Sequence, residues 1–165
     1  MPTYLFTDHA YGTWMPDHPR GYTVRGGQVL PPDPEMAAHY HANAEHPPVA
    51  FDDGMQWVMV QAVRDVCAKY GWRLHCVATV KTHVHYLVTW DDRSISWARV
   101  RDRMKQVMGY RLAQLRGTKD RRYFVRGDDA TRVERDSHFE YLMTTYLPDH
   151  RGAGWSEREP SKPTR

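Results

Sequence analysis

Cysteine is scarce. Cys67 and Cys76 are the two in 165 residues, too few for a disulfide framework or a four-ligand zinc site, so both read as reduced packing thiols. No run of ~18 apolar residues occurs, so no segment is expected to span a membrane. The opening Met1-Pro2-Thr3-Tyr4 lacks the charged-then-apolar build of a secretory signal, which gives an expected cytoplasmic location. Net charge is small as well: 23 Lys/Arg against 20 Asp/Glu give +3, a total that favours no particular partner. Internal repeats and low-complexity segments are missing. What is present is about one domain's length of chain, 41% apolar and 26% charged, enough to bury one core. Ten histidines are the compositional excess, and imidazole is the side chain that both binds metals and moves protons near neutral pH.

The small net charge hides an asymmetry. Between Arg99 and Arg126 stand Arg99, Arg101, Arg103, Lys105, Arg111, Arg116, Lys119, Arg121, Arg122 and Arg126 against Asp102 and Asp120. That is +8 within a chain of +3, so the remainder is −5. Trp97, Tyr110, Tyr123 and Phe124 are interleaved with this block. Cations release the counterions of a polyanion, and aromatic faces stack unpaired bases, so the block is expected to bind nucleic acid. The competing reading is a solvated helix face with core aromatics.

Tyr4 to Thr13 reads as a first strand. A Pro/Gly-rich insertion at about 14–50 holds seven of the eleven prolines. Within it, Gly26-Gly27 signals a small hairpin, and Asp33-Pro34 opens a short helix to about Ala44. Asp52 or Asp53 then caps a long helix stopped by Gly71. Trp72 to Val80 is the next strand, with Leu74, Cys76, Ala78 and Val80 on one face, followed by a strand from Thr82 to Trp90. Ser94 or Ser96 opens a helix to about Leu115, burying Trp97, Val100, Met104, Val107, Met108, Leu112 and Leu115. Arg122 to Val125 and Thr131 to Arg135 are strand-like. Asp136 or Ser137 caps a last helix carrying Phe139, Leu142, Met143, Tyr146 and Leu147, and residues 152–165 are expected to be a disordered tail. This order predicts an α+β, ferredoxin-like antiparallel sheet backed on one face by helices, in a single domain over 1–151.

Strand period two places His83 and His85 on one face, ~7 Å apart along the backbone, where both can reach one divalent ion. Two imidazoles under-coordinate such an ion. His150 lies four residues after Tyr146, one helical turn away, and His9 on the first strand is the rival third ligand. A phenol beside a metal-bound phosphate is a competent nucleophile. Tyr146 on the apolar helix face is the candidate, with Tyr141 its rival.

The segment Thr82-His83-Val84-His85-Tyr86-Leu87-Val88 resembles the His-hydrophobic-His (HUH) motif of single-tyrosine transposases, the insertion-sequence-200-like and REP-associated enzymes. Phe139 to Leu147, ending at Gly152-Ala153-Gly154-Trp155, resembles their nucleophile helix, and the likeness runs from Tyr4 to Trp155. Lys81-Thr82 stands where relatives often carry Pro-Asp or Pro-Asn. Pro148 interrupts the stretch between Tyr146 and His150, and the Asn-Pro pair after the tyrosine is missing. The resemblance implies an endonuclease and strand transferase acting on single-stranded DNA at hairpin-associated sites. In that reading Tyr146 forms a 5′-phosphotyrosine, and His83, His85 and His150 hold Mg²⁺ or Mn²⁺. It also implies hairpin or single-stranded DNA as partner, association with the nucleoid, and a homodimer as one arrangement. The alternatives are a DNA- or RNA-binding protein of the same fold without catalysis, and a metal phosphoesterase with a carboxylate-held water.

Overall fold

In the computed structural model, residues 1–13, 15–23, 28–92, 94–127 and 129–160 are described. The central sheet is antiparallel, in the order β6-β1-β5-β4-β7. Its members are β1 (Thr3–His9), β4 (Arg73–Thr79), β5 (His83–Thr89), β6 (Asp129–Arg132) and β7 (Gly154–Ser156). Without β7, this is the strand order of a ferredoxin-like βαββαβ unit. The remaining elements are the hairpin β2 (Tyr22–Thr23) and β3 (Val29–Leu30), and helices α1 (Pro34–Ala42), α2 (Asp53–Tyr70), α3 (Trp97–Arg116) and α4 (Asp136–Tyr141). A π-helical turn, Leu142–Tyr146, extends α4. The Gly26-Gly27 turn and residues 161–165 of the tail lie outside the described residues.

Local chemistry accounts for the two backing helices. Asp52 accepts from the Met55 N–H at 3.0 Å to start α2, and Gly71 ends it in the left-handed region at φ 66°. Ser96 and Gly117 do the same for α3. Both helices lie on one face of the sheet, where Met59, Val63, Met104, Met108 and Leu112 meet Phe6, Val84, Tyr86 and Val88. Trp97 and Leu115, expected inside, are 39% and 47% exposed. They occupy the first and last turns of α3, and the Arg101 guanidinium covers the Trp97 ring at 5.4 Å.

The opposite face carries a smaller cluster: Leu5, Cys76, Ala78 and Leu87 of the sheet against Leu142, Met143 and Leu147. A β-bulge between Leu74 and Cys76 explains a difference from the alternation read off β4. The inserted residue shifts the parity, so Leu74 joins the α2/α3 core while Cys76 and Ala78 face the other side. The first strand is also shorter than expected. Ala10 makes one bridge to Phe124, and Gly12 turns the chain at φ 74°. Arg122 to Val125 is therefore an extended segment beside the end of β1, tied by Tyr11 N–H to Tyr123 O and Val125 N–H to His9 O.

Two expectations at the C-terminus need correcting. Helix α4 starts from Arg135 with no side-chain cap, and Asp136 is its first helical residue. Residues 152–160 are ordered, because β4 offers an unpaired edge to which Gly154–Ser156 adds as β7. The polar composition of this segment hid a strand whose partner lies almost eighty residues away. Thr79 N–H and Thr79 Oγ1 donate to Ala153 O, at 3.0 and 2.6 Å. Ala153 N–H in turn donates to Gln56 Oε1 at 3.1 Å. A Cβ on Gly152 would collide with the Thr79 carbonyl oxygen and with Gln56 Oε1. Gly152→Ala is expected to cost about 1–3 kcal/mol in urea unfolding; a loss below ~0.5 kcal/mol would show that the strap is not packed this tightly.

Candidate metal and nucleophile site

Strand β5 lies between β1 and β4 and is covered on both faces. Its alternation sends Val84, Tyr86 and Val88 into the α2/α3 core and leaves His83, His85 and Leu87 on the opposite face. The β1 register sets Thr7 opposite His85 and His9 opposite His83. Thr7 Oγ1 lies 2.8 Å from His85 Nδ1, a partner that a buried imidazole requires. Thr82 Oγ1 stands 2.9 Å from His83 Nδ1.

The remaining groups arrive from the π-helical turn. Pro148 has no N–H, and in an α-helix its ring would press on the carbonyl of Thr144. The chain widens instead: Leu147 N–H donates to Leu142 O, five residues back, at 3.0 Å. The turn that follows brings His150 under Tyr146, where His150 Nδ1 donates to the Tyr146 carbonyl at 2.9 Å. Tyr146 Oη reaches His85 Nε2 at 3.3 Å.

One candidate ligand atom from each of His83, His85 and His150 lies within 4.8 Å of the others. Nitrogens each ~2.1 Å from one ion sit at most ~4.2 Å apart, so small ring rotations close the set. Each ring has its Nδ1 engaged, by Thr82, Thr7 or Tyr146 O, as metal-binding imidazoles do when Nε2 coordinates. These residues fit a divalent cation. Three imidazoles suit a softer ion than Mg²⁺.

Burial lowers the pKa of His83 to about 4 and of His85 to about 3, and neighbouring imidazoles add to both shifts. Both rings are therefore neutral, with lone pairs available, at physiological pH. Burial raises the Tyr146 phenol above its usual value, and Tyr141 adds to this, so the phenol holds its proton until positive charge arrives.

The His9 ring lies tilted beside His83, at 5.4 Å between centroids, on the strand next to the one that carries His83 and His85. Tyr141 is 52% exposed, with its ring 6.3 Å from that of Tyr146. The phenol beside His85 Nε2 belongs to Tyr146, and the three clustered side chains are all imidazoles.

The basic block falls elsewhere. Arg99, Arg101, Arg103, Lys105, Arg111 and Arg116 lie on α3, across the sheet from the histidines. Several cations are already paired: Arg111 with Asp65 at 2.8 Å, Arg116 with Asp52, and Arg122 with Glu45 at 3.1 Å. Lys105 Nζ donates to Val125 O at 2.7 Å, and Arg121 lies over the Tyr123 ring. Arg99, Arg103, Lys119 and Arg126 are exposed. Tyr123 and Phe124 are buried in the core and present no stacking face, unlike Trp97 and Tyr110. Thr7 and Gln56 were not singled out from sequence. Thr7 shares the parity of His9 on β1, but only the β1–β5 register pairs it with His85.

No protein-family model and no curated protein sequence matches the chain. Among solved structures, a REP-associated tyrosine transposase bound to a REP hairpin is similar over 89% of this chain, at TM-score 0.50 and 8% identity. The two share a fold. The chain spans 64% of that protein's length. The mixed antiparallel architecture expected from sequence is thereby borne out, and the three-imidazole cluster sits on its sheet. No helix among the described residues is long and apolar enough to cross a membrane.

The lowered histidine values give a signed prediction. Above pH ~6.5 folded and unfolded chains both carry neutral rings; between ~6.5 and ~4 only the unfolded chain takes up these protons. Metal-free protein should hold this contribution above pH ~6.5 and lose it as pH falls toward 4. A His83→Gln/His85→Gln variant should show a shallower decline of Tm between pH 7 and 4.5, and parallel declines would refute the burial argument. At pH 7, Mn²⁺ should raise the Tm of the wild type and leave that of His83→Ala unmoved.

Proposed function

We propose that this protein is a metal-dependent enzyme that nicks and rejoins single-stranded DNA at hairpin-associated sites through a 5′-phosphotyrosine on Tyr146. The observation that carries the reading is the Tyr146 hydroxyl 3.3 Å from His85 Nε2 at the edge of the His83/His85/His150 cluster. The fold shared with a tyrosine transposase seen with a REP hairpin supports it.

Tyr146 Oη attacks the scissile phosphorus, forming the O–P ester as the bond to the 3′-oxygen breaks. The departing oxygen takes a proton, and the phenol proton passes to solvent. His83, His85 and His150 would hold a divalent cation, which would supply charge neutralisation at the phosphate and lower the cost of making the phenolate. His150, anchored through Nδ1 to the Tyr146 carbonyl, sets the nucleophile and a ligand in one rigid turn. Attack by a 3′-hydroxyl on the phosphotyrosine reverses the step and joins strands. Exposed Arg99, Arg103, Lys119 and Arg126 contact backbone phosphates, with the rest of the Arg99–Arg126 block contributing to the field. Such a protein works beside the nucleoid.

Labelled single strands containing a hairpin and its flanks, incubated with Mn²⁺, should yield a denaturation-resistant protein–DNA adduct. Tyr146→Phe should abolish the adduct while binding is retained, and His83→Ala should lower cleavage by at least ~10²-fold. Adduct formation by Tyr146→Phe would overturn the assignment of the nucleophile. Full activity in chelator would overturn the metal. Binding without any adduct in the wild type would favour the non-catalytic DNA-binding reading.

A further inference from the structure

A cavity opens on the same face of the sheet as the histidines, between the π-helical turn and the edge strand β7. It encloses about 380 Å³, within the ~300–1,000 Å³ range of small-ligand sites. Cys76, Ala78 and Ser156 line it from the sheet, with Met143 and Leu147 from the turn and Arg158 also bordering it. Small side chains create the space: Ala78 is paired across the strands with Gly154, and Cys76 with Ser156. Burial pushes the Cys76 thiol up to about 12, with Glu157 adding to the shift, so the cavity gains no thiolate charge.

Thr144, Pro148 and His150 line this cavity and also the open depression that Tyr146 and Tyr141 border. An apolar cleft and the depression bordered by the Tyr146 phenol and His150 thus share the two sides of one turn. A ligand suited to both has a flat, apolar body tethered to a phosphodiester. We propose that the cleft receives an unpaired nucleobase of the strand whose phosphate lies at the histidine–tyrosine site, an inference that rests on the DNA-cleaving reading above.

Several of the polar groups at the rim, which also include His150 and Glu159, are already committed. Thr144 Oγ1 donates to Glu140 O at 2.7 Å, Arg158 binds Glu140 at 2.6 Å, and Ser156 Oγ accepts from Arg158 N–H at 3.3 Å. The cleft therefore reads shape and apolar surface more than base edges, and it tolerates different bases at that position.

The test uses Tyr146→Phe protein, which cannot cleave, and oligothymidine carrying 5-iododeoxyuridine at successive positions. After irradiation, crosslinks should map by peptide mass spectrometry to the 143–158 segment. Ala78→Leu, which fills the cleft, should remove those crosslinks and weaken oligothymidine binding roughly 5- to 150-fold, the range of one lost base contact. Ser156→Leu provides a second filling variant should Ala78→Leu not fold. Crosslinks confined to α3, or crosslinks and affinity unchanged in a folded filled variant, would overturn the cleft. If the wild type forms no phosphotyrosine adduct yet the crosslinks respond to filling, the catalytic reading falls and the base site stands. Adducts without cleft crosslinks have the opposite meaning.

Discussion

A strand covered on both faces has to satisfy two environments at once, and β5 is that strand. On one side Val84, Tyr86 and Val88 join the α2/α3 core. On the other, His83 and His85 leave water while carrying ring nitrogens that need partners. The antiparallel register with β1 meets that need by placing Thr7 beside His85 Nδ1. Once Nδ1 is engaged there, Nε2 is the nitrogen left to face Tyr146 and His150. Burial that would penalise imidazolium instead keeps both rings neutral, the state a metal ligand requires.

The second constraint comes from proline. Pro148 forbids an ordinary last helical turn, and the π-helical widening that answers it sets the spacing of Tyr146 and His150. The C-terminal strap then holds this turn from behind. Gln56 on α2 reaches Ala153, and β7 adds to β4. Arg158 pairs with Glu140, while Glu157 meets buried His75 at 2.6 Å. Tyr146, at the end of a π-helical turn that extends a helix of only six residues, thus borrows its rigidity from a strand edge and from a helix on the far face of the sheet.

Charge shows how tertiary structure redistributes a sequence signal. A +8 segment reads as one surface, yet Asp52, Asp65 and Glu45 reach in from α2 and the insertion to pair with Arg116, Arg111 and Arg122. The acidic remainder of the chain is in part the counter-charge of the basic block. What faces solvent is a thinner set of cations with Trp97 and Tyr110 among them. The end of the block, through Val125, runs beside His9 at the edge of the histidine face.

Much was legible in the residues themselves, because it rests on local chemistry. The caps Asp52 and Ser96 and the stops Gly71 and Gly117 delimit α2 and α3. The two-residue period puts His83 and His85 on one face, and the strand–helix order implies the sheet. Other features depend on partners distant in the chain, which no local pattern encodes. The bulge that redirects Leu74 relative to Cys76 is one, the edge that turns a polar tail into β7 is another, and the pairing of Thr7 with His85 is a third. The sequence by itself determined which histidines and tyrosines were candidates for the site. Only the tertiary structure decided that Tyr146, rather than Tyr141, faces His85, and that His150, rather than His9, completes the cluster. Those choices depend on the widened turn and on the packing beneath it.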